Sequence, residues 1–310
     1  MEFNHVSVLL TETVDAVMNN PHGTYVDCTL GGAGHAMALG SQLSEDGLLI
    51  GLDQDSDALR VAEERLQSLK CRVMTIPTNF RYLKDALTER GIHEVDGFIF
   101  DLGVSSYQLD TAERGFSYMH DGPLDMRMDK EGSLTAATIV NTYDESELAR
   151  IIWDYGEERW AKRIAKFIVE ARAEKPLERT GELTSVIKKA IPAGARREGP
   201  HPAKRTFQAL RIEVNQELTI LHDTFVDAVS LLKPGGRIGV ITFHSLEDRI
   251  TKQTFKELSQ GCICPPNLPV CVCNHTAVVK ARNKAIEPSK EEVEANSRAR
   301  SAKLRVAEKL

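Results

Sequence analysis

The sequence predicts an α/β protein whose doubly wound, mainly parallel sheet is interrupted by a helical insert. Four β-type runs alternate with helical segments up to Asp101, a pattern typical of a parallel sheet. A glycine-rich turn at 31–34 follows the first run directly. From about Tyr107 to about Arg205 the alternation stops, and the sequence predicts only helices and loops.

The predicted elements follow from hydrophobic periodicity and from turn residues. The first strand begins at Tyr25, and the next three cover 48–53, 72–76 and 95–101. Helical periodicity covers 11–17, a segment from about 35, 57–69, 146–153, 158–175, 181–190 and 206–232. A β-run at 237–243 follows the turn at 234–236, and runs at 276–279 and 303–306 could form an edge hairpin. We therefore expect a sheet domain built from 1–106 and 206–310, with an inserted helical domain at 107–205.

The glycine-rich turn and the acid after the second strand indicate a ligand that contains adenosine. Glycine lets a ligand approach the main chain closely, and Asp53 can accept hydrogen bonds from ribose hydroxyls. The turn lacks the third glycine of a dinucleotide fingerprint. Asp27, inside the first strand, suits a ligand with a cationic sulfonium and ammonium. S-adenosylmethionine is therefore favoured, and a nicotinamide dinucleotide is the alternative.

Three further side chains are expected beyond the carboxyl ends of the strands, where doubly wound sheets bind ligands. Phe80 could lie against an adenine ring or belong to the core. Asp101 could accept a hydrogen bond from the cofactor's amino group or from a substrate amine, or act only as a turn carboxylate. His244 opens a His-Ser-Leu-Glu-Asp segment. We interpret this segment as a loop at the substrate side rather than as a hydrolase triad, because triads are defined by geometry; direct participation of His244 is the less favoured alternative.

Composition indicates an ordinary globular protein of 310 residues, 42% hydrophobic, with a formal net charge of −6. This charge argues against a uniformly basic nucleic-acid binder but leaves room for local basic patches. No run approaches the roughly 20 apolar residues of a membrane span, and the first residues lack the features of a signal peptide. We therefore expect a cytoplasmic protein without a membrane partner.

Seven longer strings stand out along the chain: HVSVLL (5–10), DLGVSSYQLD (101–110), RGFSY (114–118), DGPLDMRM (121–128), YGEER (155–159), TFQALRI (206–212) and FHSLEDR (243–249). Together they resemble, nearly end to end, the bacterial 16S rRNA cytosine-N4 methyltransferases of the RsmH/MraW type. The resemblance implies a class I Rossmann-like fold and transfer of a methyl group from S-adenosyl-L-methionine. The implied substrate is the exocyclic N4 of the cytidine at position 1402, in the decoding centre of 16S rRNA.

The resemblance also implies which positions contact the cofactor. They are Ala33, Gly34, His35, Asp53, Phe80, Asp101 and Gln108. Relatives carry glycine at the position of Ala33, and the main-chain contact survives there if the backbone angle does not demand glycine. The implied partner is 16S rRNA, within the small ribosomal subunit, and the protein is expected to be a monomer or a homodimer.

Basic residues near the loop at 192–202 predict contacts with RNA phosphates. Arg196, Arg197, Lys204 and Arg205 are the main candidates, with Lys188 and Lys189 beside them. A second basic stripe, at 159–166, lies near Trp153, Tyr155 and Trp160 and could add stacking surfaces. The alternative for each residue is an ordinary solvated helix face or, for the aromatics, a small core.

The remaining candidate is a group of four cysteines near the carboxyl end of the sequence, Cys262, Cys264, Cys271 and Cys273. No metal is required by the methyl-transfer chemistry, yet these thiols could form a small zinc site. Zinc pairs are usually spaced C-x₂₋₄-C, so C-x-C pairs are only moderately specific. The alternatives are reduced thiols in a surface loop or a redox-sensitive pair.

Two other functions compete with RNA methylation. One is a nicotinamide-dependent dehydrogenase, which the glycine turn and the helical insert disfavour. The other is a non-catalytic RNA-binding protein, which the presence of Asp53, Phe80 and Asp101 together disfavours.

Overall fold

The computed structural model describes residues 7–197, 199, 201–265, 268, 270–273 and 275–310. His5 and Val6 of the first motif lie outside the described residues, as do Glu198 and Pro200 of the basic loop. The chain divides into two compact units. The first unit comprises Met1–Gly103 with Leu218–Leu310, and the second unit comprises Val104–Glu217.

The first unit contains a seven-stranded sheet. Its strands are β1 (Thr24–Asp27), β2 (Leu48–Asp53), β3 (Arg72–Pro77), β4 (Val95–Asp101), β5 (Leu232–Thr242), β6 (Val279–Ala281) and β7 (Lys303–Lys309). The order across the sheet is β3-β2-β1-β4-β5-β7-β6. The strands from β3 to β5 pair in parallel, whereas β7 is antiparallel to both β5 and β6. The predicted Rossmann-like α/β class is confirmed.

The described residues form helices in both units. They are α1 (Leu10–Val17), α2 (Gly34–Gly40), α3 (Ser56–Leu66), α4 (Leu83–Thr88), α5 (Ser106–Asp110), α6 (Ala136–Thr142), α7 (Glu145–Asp154), α8 (Ala161–Glu174), α9 (Thr180–Ala190), α10 (Lys204–Asn215), α11 (Leu221–Ser230), α12 (Ser245–Leu258) and α13 (Lys290–Ala295). None of the helices in the described part of the chain is long and apolar enough to cross a membrane.

The inner strand β4 is buried on both faces, as parallel sheets favour, whereas β3 is largely exposed. Phe98 and Phe100 of β4 lie in one apolar cluster with Phe225 of α11, and the Phe100 and Phe225 rings meet edge to face at 5.3 Å. Ile99, between them in sequence, packs into the opposite cluster with Tyr25. Because successive side chains of β4 pack into two different apolar clusters, the carboxyl end of β4 lies between two packed layers.

Two predicted elements between Thr206 and Thr242 differ from the structure. The predicted helix at 206–232 is interrupted at Gln216, whose φ of +53° ends α10, and α11 starts at Leu221. The fifth strand begins at Leu232 rather than at 237 and runs through the Pro-Gly-Gly sequence, with an irregular register against β4 between Val95 and Gly97.

The predicted edge hairpin also differs from the structure, in the position and the extent of its strands. β6 and β7 do pair antiparallel, but β7 lies between β5 and β6 and α13 separates the two strands in sequence. Of the predicted run at 276–279, only Val279 is in a strand. Leu304 of β7 is fully buried, and the buried side chain of Ala307 packs in the same cluster as Val279, which explains why β7 is an inner strand and not an edge.

The second unit is helical among its described residues, and it has an apolar core of its own. Ile151, Ile164 and Ile187 contribute to this core from α7, α8 and α9. Phe207 and Leu210 of α10 pack in the same cluster. Because α10 belongs to this core, the division falls after Glu217 and before Val104, and not at the expected boundaries 205/206 and 106/107.

Candidate functional site

The turn after β1 adopts the backbone geometry that a close-approaching ligand needs. Gly31 and Ala33 have φ of +47° and +61°, a region that normally favours glycine. Ala33 therefore occupies a conformation in which an alanine costs roughly 1–2 kcal/mol. Gly34 starts α2, and a Cβ there would collide with Ser7 Oγ, so packing alone explains why this residue is glycine.

Asp53, the last residue of β2, holds this turn in place. Its Oδ2 accepts a hydrogen bond from the Gly31 N–H at 2.8 Å, and its Oδ1 accepts one from the Asp55 N–H at 2.8 Å. Burial raises the pKa of the Asp53 carboxyl to about 6, although these N–H groups oppose the shift. Asp53 thus fixes the turn through hydrogen bonds from main-chain N–H groups.

Asp27, Asp53 and Asp101 form a group that we call the carboxyl cluster, at the carboxyl ends of three neighbouring strands. Asp27 of β1 pairs in register with Gly51 and Ile99, so Asp53 and Asp101 each lie two residues further along their strands. Burial raises the pKa of Asp27 to about 6, and the charges of Asp101 and Asp53 add to this shift. The cluster therefore favours a ligand that brings positive charge.

Asp101 has the strongest perturbation in the cluster. Burial, with a further contribution from the charge of Glu247, raises the pKa of its carboxyl to about 7. Its Oδ1 is buried and has no hydrogen-bond partner among the described residues, while 26% of the side chain as a whole is accessible. A buried acceptor without a donor is costly to leave unpaired, and such groups are enriched at functional sites.

His35 of α2 faces Asp101 in a defined orientation. Its Nε2 lies 3.1 Å from the Val8 carbonyl oxygen, which can only accept, so Nε2 carries the proton of the neutral ring. Nδ1 then presents a lone pair towards Asp101 Oδ2, 3.5 Å away. Burial lowers the pKa of His35 and raises that of Asp101, so burial favours the neutral form of both groups.

Phe80 follows β3 and is only partly buried against the first-unit core. Its ring meets Phe100 edge to face at 5.8 Å. The neighbouring Asn79 donates from Nδ2 to Gln54 Oε1 at 2.7 Å, which ties the segment after β3 to the segment after β2. A face of Phe80 remains accessible at this edge of the sheet, so both the adenine and the core interpretations remain compatible with its position.

His244 is the residue before α12 and not part of a free loop. Glu247, which is 1% exposed, accepts from the Phe243 N–H at 2.8 Å and so caps this helix. His244 Nε2 lies 3.0 Å from Glu247 Oε1 without the alignment of a hydrogen bond. Asp248 forms a two-pronged ion pair with Arg305, at 2.6 and 3.1 Å, an engagement that disfavours a hydrolase triad.

Glu247 is a residue that sequence reasoning did not select. Its charge acts on Asp101, and β5, which leads into α12, lies beside β4 with Ile241 opposite Asp101. Glu247 lies three residues after His244, which is the spacing of a capping box. This spacing is a sequence signal that could have identified the structural role of Glu247.

The remaining candidates belong to the second unit. Gln108 is buried, and its Oε1 accepts from the Ser105 N–H at 3.1 Å in a capping box at the start of α5. Arg196, Arg197, Lys204 and Arg205 are all exposed. The Arg205 guanidinium also donates to the Glu157 carbonyl oxygen at 2.8 Å.

Comparison with known proteins decides the family. A profile described as the MraW methylase family matches residues 2–310. The chain belongs to this family. It is 58% identical over 311 residues to "Ribosomal RNA small subunit methyltransferase H" of Clostridioides difficile (strain 630), covering 100% of both chains. It is 57% identical to the protein of the same name from Brevibacillus brevis, covering 100% of this chain and 99% of that one.

Membership in the MraW methylase family confirms the predicted methyltransferase class, with S-adenosyl-L-methionine as cofactor, against the nicotinamide alternative. The residues of the first unit fit this cofactor. Three buried carboxyls with raised pKa values suit its sulfonium and ammonium charges, and the unpaired Asp101 Oδ1 offers an acceptor for an N–H donor.

The raised pKa of Asp101 predicts pH-dependent cofactor binding. A protonated carboxyl attracts a cation less than a carboxylate does, so affinity should fall as the pH drops through about 7. One group with this pKa weakens binding roughly tenfold between pH 8 and pH 6. Calorimetry across this range measures the effect, with Asp101→Asn as the comparison. An affinity that is flat with pH in the wild-type protein would show that Asp101 does not titrate on binding.

Proposed function

We propose that this protein methylates the exocyclic N4 of the cytidine at position 1402 in the decoding centre of 16S rRNA. The observation that carries the proposal is the Asp101 carboxyl at the end of β4, with a buried and unpaired Oδ1 beside the glycine turn. The names of the relatives, which specify small-subunit ribosomal RNA, support the substrate class. The motifs at 101–110 and 243–249 support the N4 position through the family resemblance.

The residues of the first unit would hold the cofactor and orient the target base. Asp53, at the carboxyl end of β2 beside the glycine turn, accepts hydrogen bonds from ribose hydroxyls. Phe80 offers its accessible face to the adenine, and the turn at 31–34 lets the ligand approach the main chain. S-adenosyl-L-methionine, when bound, supplies an electrophilic methyl group on a sulfonium.

Asp101 accounts for the activation of the amine. The lone pair of a cytosine N4 is delocalised into the ring, so this nitrogen is a poor nucleophile. Asp101 Oδ1 accepts an N–H bond from it and localises the lone pair on nitrogen. The methylated nitrogen is acidic, so its proton leaves without a strong base, and Asp101, whose pKa is raised to about 7, is suited to accept it. Holding the amine and the methyl group in a reactive geometry supplies most of the rate enhancement. Orientation of this kind can lower an activation barrier by roughly 7–11 kcal/mol.

The second unit is proposed to recognise the substrate. Its exposed cations can pair with RNA phosphates, and Trp153, which is 60% exposed, offers a stacking surface. The target base must leave its stack to reach a reactive site, as in other base-modifying enzymes. The contact of Gln108 with the cofactor and the cytoplasmic location stay predictions.

Mass spectrometry of 16S rRNA tests the function. In cells that lack the protein, the fragment containing position 1402 should lose the mass of one methyl group. A plasmid encoding the wild-type chain should restore it. A fragment that keeps its N4 methyl group without the protein would contradict the proposal, and a methyl group lost at another position would redirect it.

Replacing Arg196, Arg197, Lys204 and Arg205 together by alanine should weaken RNA binding and flatten its salt dependence. Each lost phosphate contact removes almost one unit from the slope of log K against log salt concentration. Cofactor affinity should be unchanged, because none of these four residues is a predicted cofactor contact. Filter binding at several salt concentrations measures the slope.

A matched control removes the same charge from the first unit. Lys252, Lys256, Lys284 and Lys290 are exposed there, and their replacement by alanine lowers the net charge equally. The slope of this control should stay near that of the wild type. Equal slopes in the two variants would mean that total charge, and not the basic loop, sets the affinity for RNA.

A further inference from the structure

The segment between α12 and β6 has little to hold it together. Its described residues, 259–265, 268, 270–273 and 275–278, contain neither a helix nor a strand. Ile263, Val270 and Val272 are 59%, 69% and 69% exposed, so these apolar side chains do not pack into a core within the described part of the segment. Long loops without secondary structure are uncommon in compact domains unless they serve a function.

Four thiols nevertheless converge within this segment. The Cys271 Sγ lies 3.5 Å from the Sγ of Cys262, 4.0 Å from that of Cys264 and 3.5 Å from that of Cys273. The Cys262 and Cys273 sulfurs are 3.8 Å apart. All four sulfur atoms lie within 4.8 Å of one another. The four residues come as two Cys-x-Cys pairs from opposite ends of the segment.

These separations distinguish between the chemical states that four cysteines can adopt. A disulfide brings two sulfurs to about 2.05 Å, and every measured separation is much longer. In a tetrahedral thiolate site with Zn–S bonds of about 2.3 Å, the edge between two sulfurs is about 3.8 Å. Four of the six sulfur–sulfur separations lie at 3.5–4.0 Å and bracket that edge, and all six are within 4.8 Å. An iron–sulfur cluster, in which bridging atoms separate the thiolates, needs a wider spacing.

We propose that Cys262, Cys264, Cys271 and Cys273 bind one structural zinc ion that closes this segment into a rigid knuckle. Binding replaces four S–H protons by one Zn²⁺ and forms four Zn–S bonds, so four protons are released and no oxidant is needed. Four protein ligands complete the tetrahedron, which leaves no open position and marks the site as structural rather than catalytic.

Hydrogen bonding around the sulfurs supports a thiolate state. The Val272 N–H donates to Cys264 Sγ at 3.4 Å, an interaction that stabilises negative charge on the sulfur. The Val278 N–H donates to the Leu258 carbonyl oxygen at 2.8 Å and brings the ends of the segment together. The hydrogen bond joins the two ends of the segment, and the zinc ion would join the two pairs of cysteines. The metal would therefore stabilise a segment whose exposed apolar side chains do not.

Metal analysis of the untagged full-length protein tests the site. Purified under reducing conditions from zinc-supplemented cells, it should contain one zinc per chain. Cys264→Ala should lower zinc affinity more than tenfold, measured by competition with a chromophoric chelator. Cys71→Ala is the matched control, because Cys71 is a cysteine of the same unit that lies outside the segment; it should retain the full metal content. Cobalt substitution should give the intense charge-transfer and visible bands of a tetrahedral thiolate site, and Cys264→Ala should lose them.

Three results would overturn the proposal. One is the absence of stoichiometric metal in the wild-type protein. Another is equal metal content in the Cys264→Ala and Cys71→Ala variants. The third is a non-reduced mass that is lower by two or four hydrogens, which would identify the cysteines as disulfides. None of these readouts depends on methyl transfer, so the zinc site and the proposed function fail or succeed separately.

Discussion

Asp101→Asn is expected to slow methyl transfer by more than tenfold at saturating cofactor, a barrier increase above about 1.4 kcal/mol. Asparagine keeps the shape of the side chain but loses its charge and half of its acceptor capacity. The affinity for cofactor should fall less than the rate, because Asp27 and Asp53 remain. Single-turnover assays on 16S rRNA measure the two quantities separately.

The same substitution should stabilise the ligand-free protein at pH 8. The pKa of Asp101 is about 7 in the folded chain and about 3.9 in an unfolded one. Between these values the folded state binds more protons, so stability falls as the pH rises through the window from about 4 to 7 and stays lower above it. Asparagine does not titrate, so the variant avoids this loss. A gain of about 1 kcal/mol in the free energy of unfolding would raise the Tm by roughly 2 °C. At pH 4 the difference should disappear.

Asp96→Asn is the control for both measurements. Asp96 lies at the other end of β4, where Lys233 and the Thr24 N–H keep the pKa of its carboxyl low against the effect of burial. Its substitution should lower stability and leave the single-turnover rate unchanged. If Asp101→Asn binds cofactor weakly yet transfers methyl at the normal rate once saturated, Asp101 is a binding residue only, and the acceptor must be sought among nearby main-chain carbonyls or near His244.

Asp53→Ala should weaken cofactor binding by about ten- to hundredfold. Hydrogen bonds to a charged group contribute roughly 1.5–3 kcal/mol, and the carboxylate also holds the Gly31 N–H at 2.8 Å. The substitution therefore removes ribose contacts and loosens the turn in one step. Calorimetry with S-adenosylmethionine gives the affinity.

Two companion variants separate these contributions. Asp46→Ala removes an exposed carboxylate that pairs with His22 and should leave cofactor affinity unchanged. Ala33→Gly relieves the left-handed alanine and should not weaken binding. A folded Asp53→Ala protein with wild-type affinity would exclude Asp53 from the site.

The strand ends were the most predictable part of the site. Asp53 and Asp101 each close an apolar run, and the topology of parallel sheets places such residues at one edge. The orientation of the His35 ring towards Asp101 could not be predicted, because it depends on the Val8 carbonyl oxygen, which is 27 residues from His35 in sequence. Glu247 was missed for the same reason, since its effect on Asp101 arises only from the pairing of β4 with β5.

Local propensity also failed where tertiary packing decided the outcome. Alanine rarely adopts positive φ, so nothing in the sequence indicated that Ala33 would do so. The end of α10 depends on the packing of Phe207 and Leu210 in the core of the second unit. The helical periodicity of 206–232 continues past Gln216, where α10 ends, and so did not indicate the break. The inner position of β7 required a pairing with β5 across sixty residues of intervening chain.

The sheet order has a consequence for the nascent chain. β4 pairs with β1 on one side and with β5 on the other, and the whole second unit is encoded between β4 and β5. At about 5–20 residues per second, synthesis of that unit takes on the order of ten seconds. During this time the six buried residues of β4 before Asp101 present an open strand edge, which is a template for wrong pairing. The strand edge of β4 thus waits for its second partner until the second unit has been synthesised, while that unit, being contiguous in sequence, is free to fold first.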